Sequence, residues 1–435
     1  MTTEVNWKRR KMLALSVVSA ALLSATATFP ALAAFEPGTK LTFWGGLIFS
    51  DEANRLLEDT VNKWGADNGV ETSVVMINVN ETVQKVSAAV QSGSMPDVLD
   101  LTLDLLAVLA QQDLFVPLDD LYGKIGAAQG GWFAGIDQAA ALAEGRMGIP
   151  YGITGNLLLR RTDLLDAAGY PEAPKTWDEL VEQAAAVTKE SVFGLGLALS
   201  NNWDANLQIS ILQSYGGRIG DAEGKNSAID SEATRVYLAW LKNAWDKGVF
   251  SPGATTWDGA GDNQAYLSGQ AAFIANTGSV GIAASTQDPE LFEATGYSAL
   301  PSGPLSTISP LSLQLRAIPS TASNVEAAKA LIEHLSQPEF ISAYYAAAIY
   351  GPVLQNQAAF ETFDGRNAIH SGLLDVVKNG TAPGAPDVYN PAYAEISSNF
   401  IIPKMAQRVV VDGWGFDEAI AEAHQQIQAI YDKYR

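Results

Sequence analysis

The sequence predicts an α/β protein divided into two lobes, and three observations carry that prediction. Short apolar strands alternate with amphipathic helices, the pattern of a parallel sheet covered on both faces. Cap and breaker residues punctuate the helix ends. The chain has 435 residues, or 435 − 33 = 402 once a leader is set aside, enough for two lobes of about 100–200 residues, with one large domain as the alternative.

The leader comes first. The basic run Lys8-Arg9-Arg10-Lys11, the apolar stretch 12–23 and the small residues Ala31-Leu32-Ala33 are ordered as in an export signal, with the cut expected after Ala33. About a dozen apolar residues fall short of the roughly 20 that a helix needs to cross a bilayer, so the stretch is no anchor. Arg9-Arg10 also fits a twin-arginine signal, and the sequence leaves the export route open.

Beyond it, residues 40–44 read as a strand broken by Gly45-Gly46, and Ser50 caps a helix over 51–64. A strand over 72–79, a helix over 82–91, the breaker 92–96, a strand over 98–101 and a helix over 103–111 follow. Thr176 and Glu179 form a capping box for a helix over 177–189. Val236, Trp240, Leu241 and Ala244 recur at helical spacing over 231–247, and Ser323 with Glu326 is a second capping box for a helix ending at His334. Residues 417–434 form a last amphipathic helix. The Pro- and Ser-rich loop 300–310 reads either as a crossing between lobes or as an ordinary surface loop.

Composition excludes several functions. With 27 Lys and Arg against 48 Asp and Glu the formal charge is −21; removing Lys8, Arg9, Arg10, Lys11 and Glu4 (+3) leaves −24, which repels nucleic acid and anionic lipid. The absence of cysteine excludes disulfides, thiol catalysis and a lipid-modified cysteine tether. His334, His370 and His424 lack ligand spacing, so neither a zinc site nor a catalytic histidine is expected, and no cofactor is implied.

Six segments then carry a resemblance: Leu41-Thr-Phe-Trp44, Ser92-Gly-Ser-Met-Pro-Asp97, Leu114-Phe-Val-Pro-Leu-Asp-Asp120, Gly148-Ile-Pro-Tyr151, Lys175-Thr-Trp-Asp-Glu-Leu180 and Leu300-Pro-Ser-Gly-Pro304. Each alone is weak, but their order and rough spacing resemble the maltose-type extracellular solute-binding proteins, family 1, over nearly the whole mature length. The resemblance implies a two-lobed periplasmic binding protein type II fold with several inter-lobe crossings, here near 153–156, 310–315 and 352–357. Lobe 1 then takes residues 34–152 and 311–352, and lobe 2 takes 153–310 and 353–435. It further implies a freely diffusing periplasmic monomer that delivers a small carbohydrate to the membrane permease of an ABC importer.

Ligands of open α/β sheets sit beyond the carboxyl ends of strands, and a sugar needs carboxylates or amides beside aromatic plates. Trp44, Asn80, Glu81, Asp104, Tyr151 and Thr154 are the candidates on one side of the cleft. Asn202, Trp203, Asp204, Trp257 and Asp258 are those on the other, with Tyr350 beside the third crossing. Structural roles compete at several: Trp44 as sheet core, Asp104 as a helix cap, Asn80-Glu81 as a turn, Trp203 and Trp257 as surface packing. Trp177, Trp240 and Trp245 lie on helical stripes and read as structural.

Where many relatives carry Asn-Gly-x-Trp, this chain has Asn276-Thr-Gly-Ser-Val280, and Ser309-Pro-Leu-Ser-Leu313 lacks the usual glycine pair. Both departures favour a mono- or disaccharide, polyol or modified sugar over a long oligosaccharide. A polyamine, peptide or organic anion is the alternative ligand, and a secreted carbohydrate-active enzyme the alternative class.

Overall fold

The structure is a computed structural model that describes residues 35–48, 50–78, 81–189 and 191–435. The export signal with its cut after Ala33, and the candidate Asn80, lie outside the described residues.

Among the described residues, nine strands form two sheets. The first contains β1 (Lys40–Leu47), β2 (Glu71–Asn78), β3 (Val98–Thr102), β4 (Ile149–Thr154) and β9 (Ser312–Ala317), in the order β2-β1-β3-β9-β4. The second contains β5 (Leu157–Arg161), β6 (Phe193–Leu195), β7 (Ala271–Asn276) and β8 (Thr295–Ser298), in the order β6-β7-β5-β8. The first body and the second body below are these sheets with the helices packed on them.

Neither sheet is purely parallel. β1 runs parallel to β2 and β3, but β9 is antiparallel to both β3 and β4. The reason is connectivity: β9 enters the first sheet from the second through residues 299–311, so it runs against strands whose chain direction was set before the crossing. In the second sheet only β6 and β7 are parallel.

Local signals mostly dictate the helices. Ser50 Oγ accepts from Ala53 N at 3.2 Å and starts Asp51–Asn68, which ends at Gly69 in the left-handed region, φ 70°. Thr176 Oγ1 accepts from Glu179 N at 3.1 Å and starts Trp177–Val187. The helix Val325–His334 is capped by Asn324, whose Oδ1 accepts from Ala327 N at 2.9 Å, rather than by the expected Ser323. Ser323 N instead donates to Asp97 Oδ1 at 2.6 Å, while Asp97 Oδ2 accepts from Thr42 N at 2.7 Å. Asp97 thus staples β1 to the segment after β9, just ahead of the cap residue Asn324. On Glu232–Asp246, Trp240, Leu241 and Ala244 are buried, but Val236 is exposed because it lies at the edge of the apolar stripe.

The chain passes between the bodies at Gly155-Asn156, where β4 ends and β5 begins, and again through 299–311. After Pro338–Ala347, which packs on Asp51–Asn68, Gly351 bridges to Ile153, and the helix Ala368–Asn379 then touches β4, β5 and β8. The last helices, Ile401–Val410 and Phe416–Lys433, close the second body's core around Ile402, Met405, Ile420 and Ile427. Among the described residues no helix is long and apolar enough to cross a membrane.

Candidate functional site

Between the bodies lies a cavity of about 550 Å³. Asp100, Asp104, Tyr151, Gln314 and Tyr350 line it from the first body, and Trp203, Ala394 and Ser398 from the second. Two further inter-body cavities, of about 310 and 430 Å³, adjoin it around Asp104. The last holds the carboxylates Asp104, Glu144 and Asp387 but a single aromatic ring, Tyr389, so the 550 Å³ cavity, where Tyr151 and Tyr350 meet Trp203 beside Asp100 and Asp104, is the better ligand site.

Its floor is a buried ion pair under an aromatic cluster. Asp100 projects from β3 and Arg316 from the facing register position of β9, with Nε 3.2 Å from Asp100 Oδ1. Arg316 is fully buried, its guanidinium 4.0 Å from the Tyr151 ring centroid. Tyr151 meets Tyr350 edge-on at 5.7 Å, and Tyr344 stacks on Tyr350 at 5.9 Å. Gly152 makes room for this: a Cβ there would lie 2.9 Å from Tyr350 Cγ. Burial drives the Asp100 carboxyl up to about 6, against the opposing pull of Arg316 and a hydrogen bond from Gly46 N.

Asp104 sits in the first turn of Leu103–Ala110, but the cap is Thr102, whose Oγ1 accepts from Leu105 N at 3.5 Å. Its carboxylate is therefore free to face the cleft, where Oδ1 accepts from Tyr389 OH of the second body. Burial raises Asp104 above the ordinary carboxylate range, and the Tyr389 bond works the other way.

Asn202 supports the opposite wall. Its Oδ1 accepts from Ala205 N at 2.9 Å and its Nδ2 donates to the carbonyls of Trp257 and Asp258, each at 3.1 Å. That turn presents Trp203, 63 % exposed, edge-on to Phe400 at 5.7 Å. An exposed indole over a cleft has its ring face free for a ligand.

The cavity thus brings together Asp104, Tyr151, Trp203 and Tyr350, and the 310 Å³ cavity next to it takes Thr154. The remaining candidates sit elsewhere. Trp44 is half-buried against the first body's core and does not line the cavity, though it shares a face of β1 with Gly46, which does. Glu81 precedes Thr82–Ser92 and pairs with Lys85 at 3.1 Å. Trp257 folds onto its own loop, so close to Gly253 and Gly261 that a Cβ there would lie 2.5 and 2.2 Å from the indole. Asp258 Oδ1 accepts from Ala260 N at 3.1 Å in the same loop. Asp204 lies beside Asp262, whose carboxyl burial and then Asp204's charge push up to about 7. Asn276, where the family motif begins, accepts from Gly278 N at 3.0 Å and from the Ser279 hydroxyl at 3.1 Å, bracing the turn that leads into the helix Ser279–Gln287.

Sequence reasoning passed over Asp100, Gln314, Arg316 and Tyr389. A signal existed for two of them: a carboxylate inside the apolar strand Val98–Thr102 and an arginine inside Ser312–Ala317 must be paired or functional once buried. Nothing local marked Tyr389, which reaches the cleft only through the packing of the last helices.

This arrangement of side chains separates binding from folding roles. Trp44→Ala is expected to lower the unfolding free energy by about 3 kcal/mol while leaving solute affinity within twofold, since only core contacts are lost. Chemical denaturation and calorimetry on the same variant check this, and a large loss of affinity at unchanged stability would move Trp44 into the site.

Known proteins give the arrangement its context. The sugar-binding protein MalE of Xanthomonas citri superposes with a TM-score of 0.78 at 21% identity, over 91% of this chain and 98% of that one. A solute-binding protein of Thermotoga lettingae, solved with α-D-tagatose, gives 0.73 at 20% identity over 91% and 100%. One of Agrobacterium radiobacter, solved with ribitol, gives 0.72 at 20% over 91% and 99%. A curated binding protein of Brucella abortus is 21% identical over 263 residues, 59% of this chain and 62% of its own length. The family model for bacterial extracellular solute-binding proteins matches residues 59–365, well over half of the sequence, and the chain belongs to that family.

Proposed function

We propose that the protein is the periplasmic capture component of an ABC importer and that its solute is a small polyhydroxylated molecule, a mono- or disaccharide, polyol or modified sugar. The observation that carries this is the cavity itself: the exposed indole of Trp203 faces a wall that holds the carboxylates Asp100 and Asp104 and the Tyr151 and Tyr350 rings, with the two sides built on different sheets. Aromatic faces suit C–H surfaces and carboxylates suit hydroxyl donors, the two halves of sugar chemistry. The tagatose- and ribitol-bound neighbours support the same class. Asp100 and Asp104 accept hydroxyl hydrogen bonds, Trp203 closes over the ring, and closure forms the surface that the permease reads. The bodies divide near the crossings at 153–156, 310–315 and 352–357, and the protein acts as a monomer that returns its ligand chemically unchanged.

Thermal unfolding of the mature protein against sugars, polyols, sugar acids and polyamines tests this reading, because a ligand of the folded state raises stability as RT ln(1 + [L]/Kd). A sugar or polyol should raise the midpoint, and its recovery as product would argue for catalysis. Intact mass of exported protein should begin at Ala34, and a retained leader would refute export with cleavage after Ala33. Trp203→Ala is expected to leave the unfolding midpoint unchanged, since the side chain is exposed, while weakening binding about five- to thirtyfold, or 1–2 kcal/mol of lost apolar contact. Unchanged affinity in calorimetry would remove Trp203 from the site.

A further inference from the structure

One backbone outlier stands beside the cleft. Phe400 is held in the left-handed region, φ 53° and ψ 38°, where side chains other than glycine, asparagine and aspartate are uncommon. The turn explains the backbone. The helix Pro391–Ser398 closes on Asn399, whose N–H donates to Glu395 O at 3.0 Å, and the helix Ile401–Val410 starts directly after Phe400. Ala392, Tyr393 and Ile396 of the first helix and Ile401, Ile402 and Met405 of the second are buried in the same core, so the reversal between them falls on residue 400. A left-handed residue just past a helix end is ordinarily glycine, which takes that conformation without strain.

The side chain at this position therefore needs a reason of its own. Among the described residues neither body's core takes in the Phe400 ring, and its aromatic neighbour is Trp203, met at 78° with the centroids 5.7 Å apart. Trp203 likewise lies outside both cores, and its exposure leaves little else to fix its side-chain torsions. Asn206, on the turn that presents Trp203, donates from Nδ2 to Ser397 O at 3.2 Å and ties that turn to the one holding Phe400. The strained residue thus sits where its ring reaches the indole that lines the cavity. Strain of this kind persists only where the surrounding structure over-determines it, and it collects at ligand sites.

Resting on the proposed capture of a sugar or polyol against Trp203, we infer that Phe400 is a positioning residue for ligand binding: its ring props the indole and holds it over the cavity before the ligand arrives. An asparagine or glycine at 400 makes the same turn at lower backbone cost but leaves the indole free to sample other rotamers. Ordering it again when the ligand binds then costs affinity. The effect runs through Trp203 and not through a ligand contact of Phe400 itself, which does not line the cavity.

The experiment is a double-variant cycle on the mature protein, read by calorimetry and thermal unfolding. The probes are monosaccharides, disaccharides and polyols, with D-tagatose, maltose and ribitol among them, and affinities are compared for each probe that binds the parent. Phe400→Asn suits the left-handed turn and removes the ring. It is expected to weaken binding about three- to tenfold, the scale of ordering one side chain, while the unfolding midpoint of the unliganded protein holds or rises. In the Trp203→Ala background the same change should leave affinity within about twofold, because the group it positions is gone. Phe400→Tyr keeps the ring and should keep the affinity. Parent-like binding by Phe400→Asn, beside weak binding by Trp203→Ala, would overturn the positioning role and leave sugar capture standing. An equal loss from Phe400→Asn in both backgrounds would also overturn it, since Phe400 would then act apart from Trp203. Unchanged affinity in both single variants, or no binding by any probe, would overturn the proposed site as well.

Discussion

Arg316→Met is expected to lower the unfolding free energy at pH 8 by about 3–5 kcal/mol, the usual cost of removing one member of a buried ion pair. The residue is fully buried, its ion-pair partner among the described residues is Asp100, and its guanidinium lies against the Tyr151 ring. Its loss strands a carboxylate in the first body's interior. Because Asp100's folded value is raised to about 6, the folded state binds this proton more readily than the unfolded chain. Stability from that proton is present below about 4 and lost as pH rises through 6. Losing Arg316 raises the folded value further, so the deficit of the variant should be small at pH 4 and full at pH 8. Urea unfolding at the two pH values reads this directly. An equal deficit at both would assign the effect to packing against Tyr151. The double variant Asp100→Asn/Arg316→Met should recover most of the loss, since it removes both charges together.

Asp104→Ala is expected to weaken solute binding by roughly 10- to 150-fold, the 1.5–3 kcal/mol of a charge-assisted hydrogen bond. The helix it belongs to keeps its cap, because Thr102 and not Asp104 supplies the capping oxygen, so stability should change little. Tyr389 loses its acceptor in the same variant, which frees one contact between the bodies. Tyr389→Phe separates the two effects: it removes the contact and keeps the carboxylate. Affinity that falls in Asp104→Ala and holds in Tyr389→Phe places Asp104 on the ligand. Equal losses in both would assign it to holding the bodies together, and unchanged affinity in both would move the site away from this cavity.

The two predictions concern residues of very different legibility. Asp104 follows an apolar strand and opens a helix, a position readable from local pattern alone, while the neighbouring Thr102 takes the capping role through its own local bond to Leu105 N. Arg316 could be recognised as a conflict in its strand but not resolved. Its partner is 216 positions earlier, on a strand that β9 meets only after the chain has returned from the second body. Candidates chosen for polarity after an apolar run divided for the same reason. Trp203 reached the cleft while Trp257, in a similar loop, folded onto glycines 253 and 261, since nothing local distinguishes an indole facing a gap from one facing its own loop.

What the sequence by itself determined was therefore short-range: strand and helix alternation, most caps, the acidic balance without cysteine, and the ordered segments whose resemblance pointed to the solute-binding family. These depend on neighbours a few residues away, where periodicity and capping act. Only the tertiary structure decided the reversed direction of β9, the Asp100–Arg316 pair beneath Tyr151, the reach of Tyr389 to Asp104, and which aromatics face the cleft. Those depend on contacts between segments far apart in the chain, such as Asp100 with Arg316 and Asp104 with Tyr389, which meet only once one chain has been threaded through both sheets and their helices have packed.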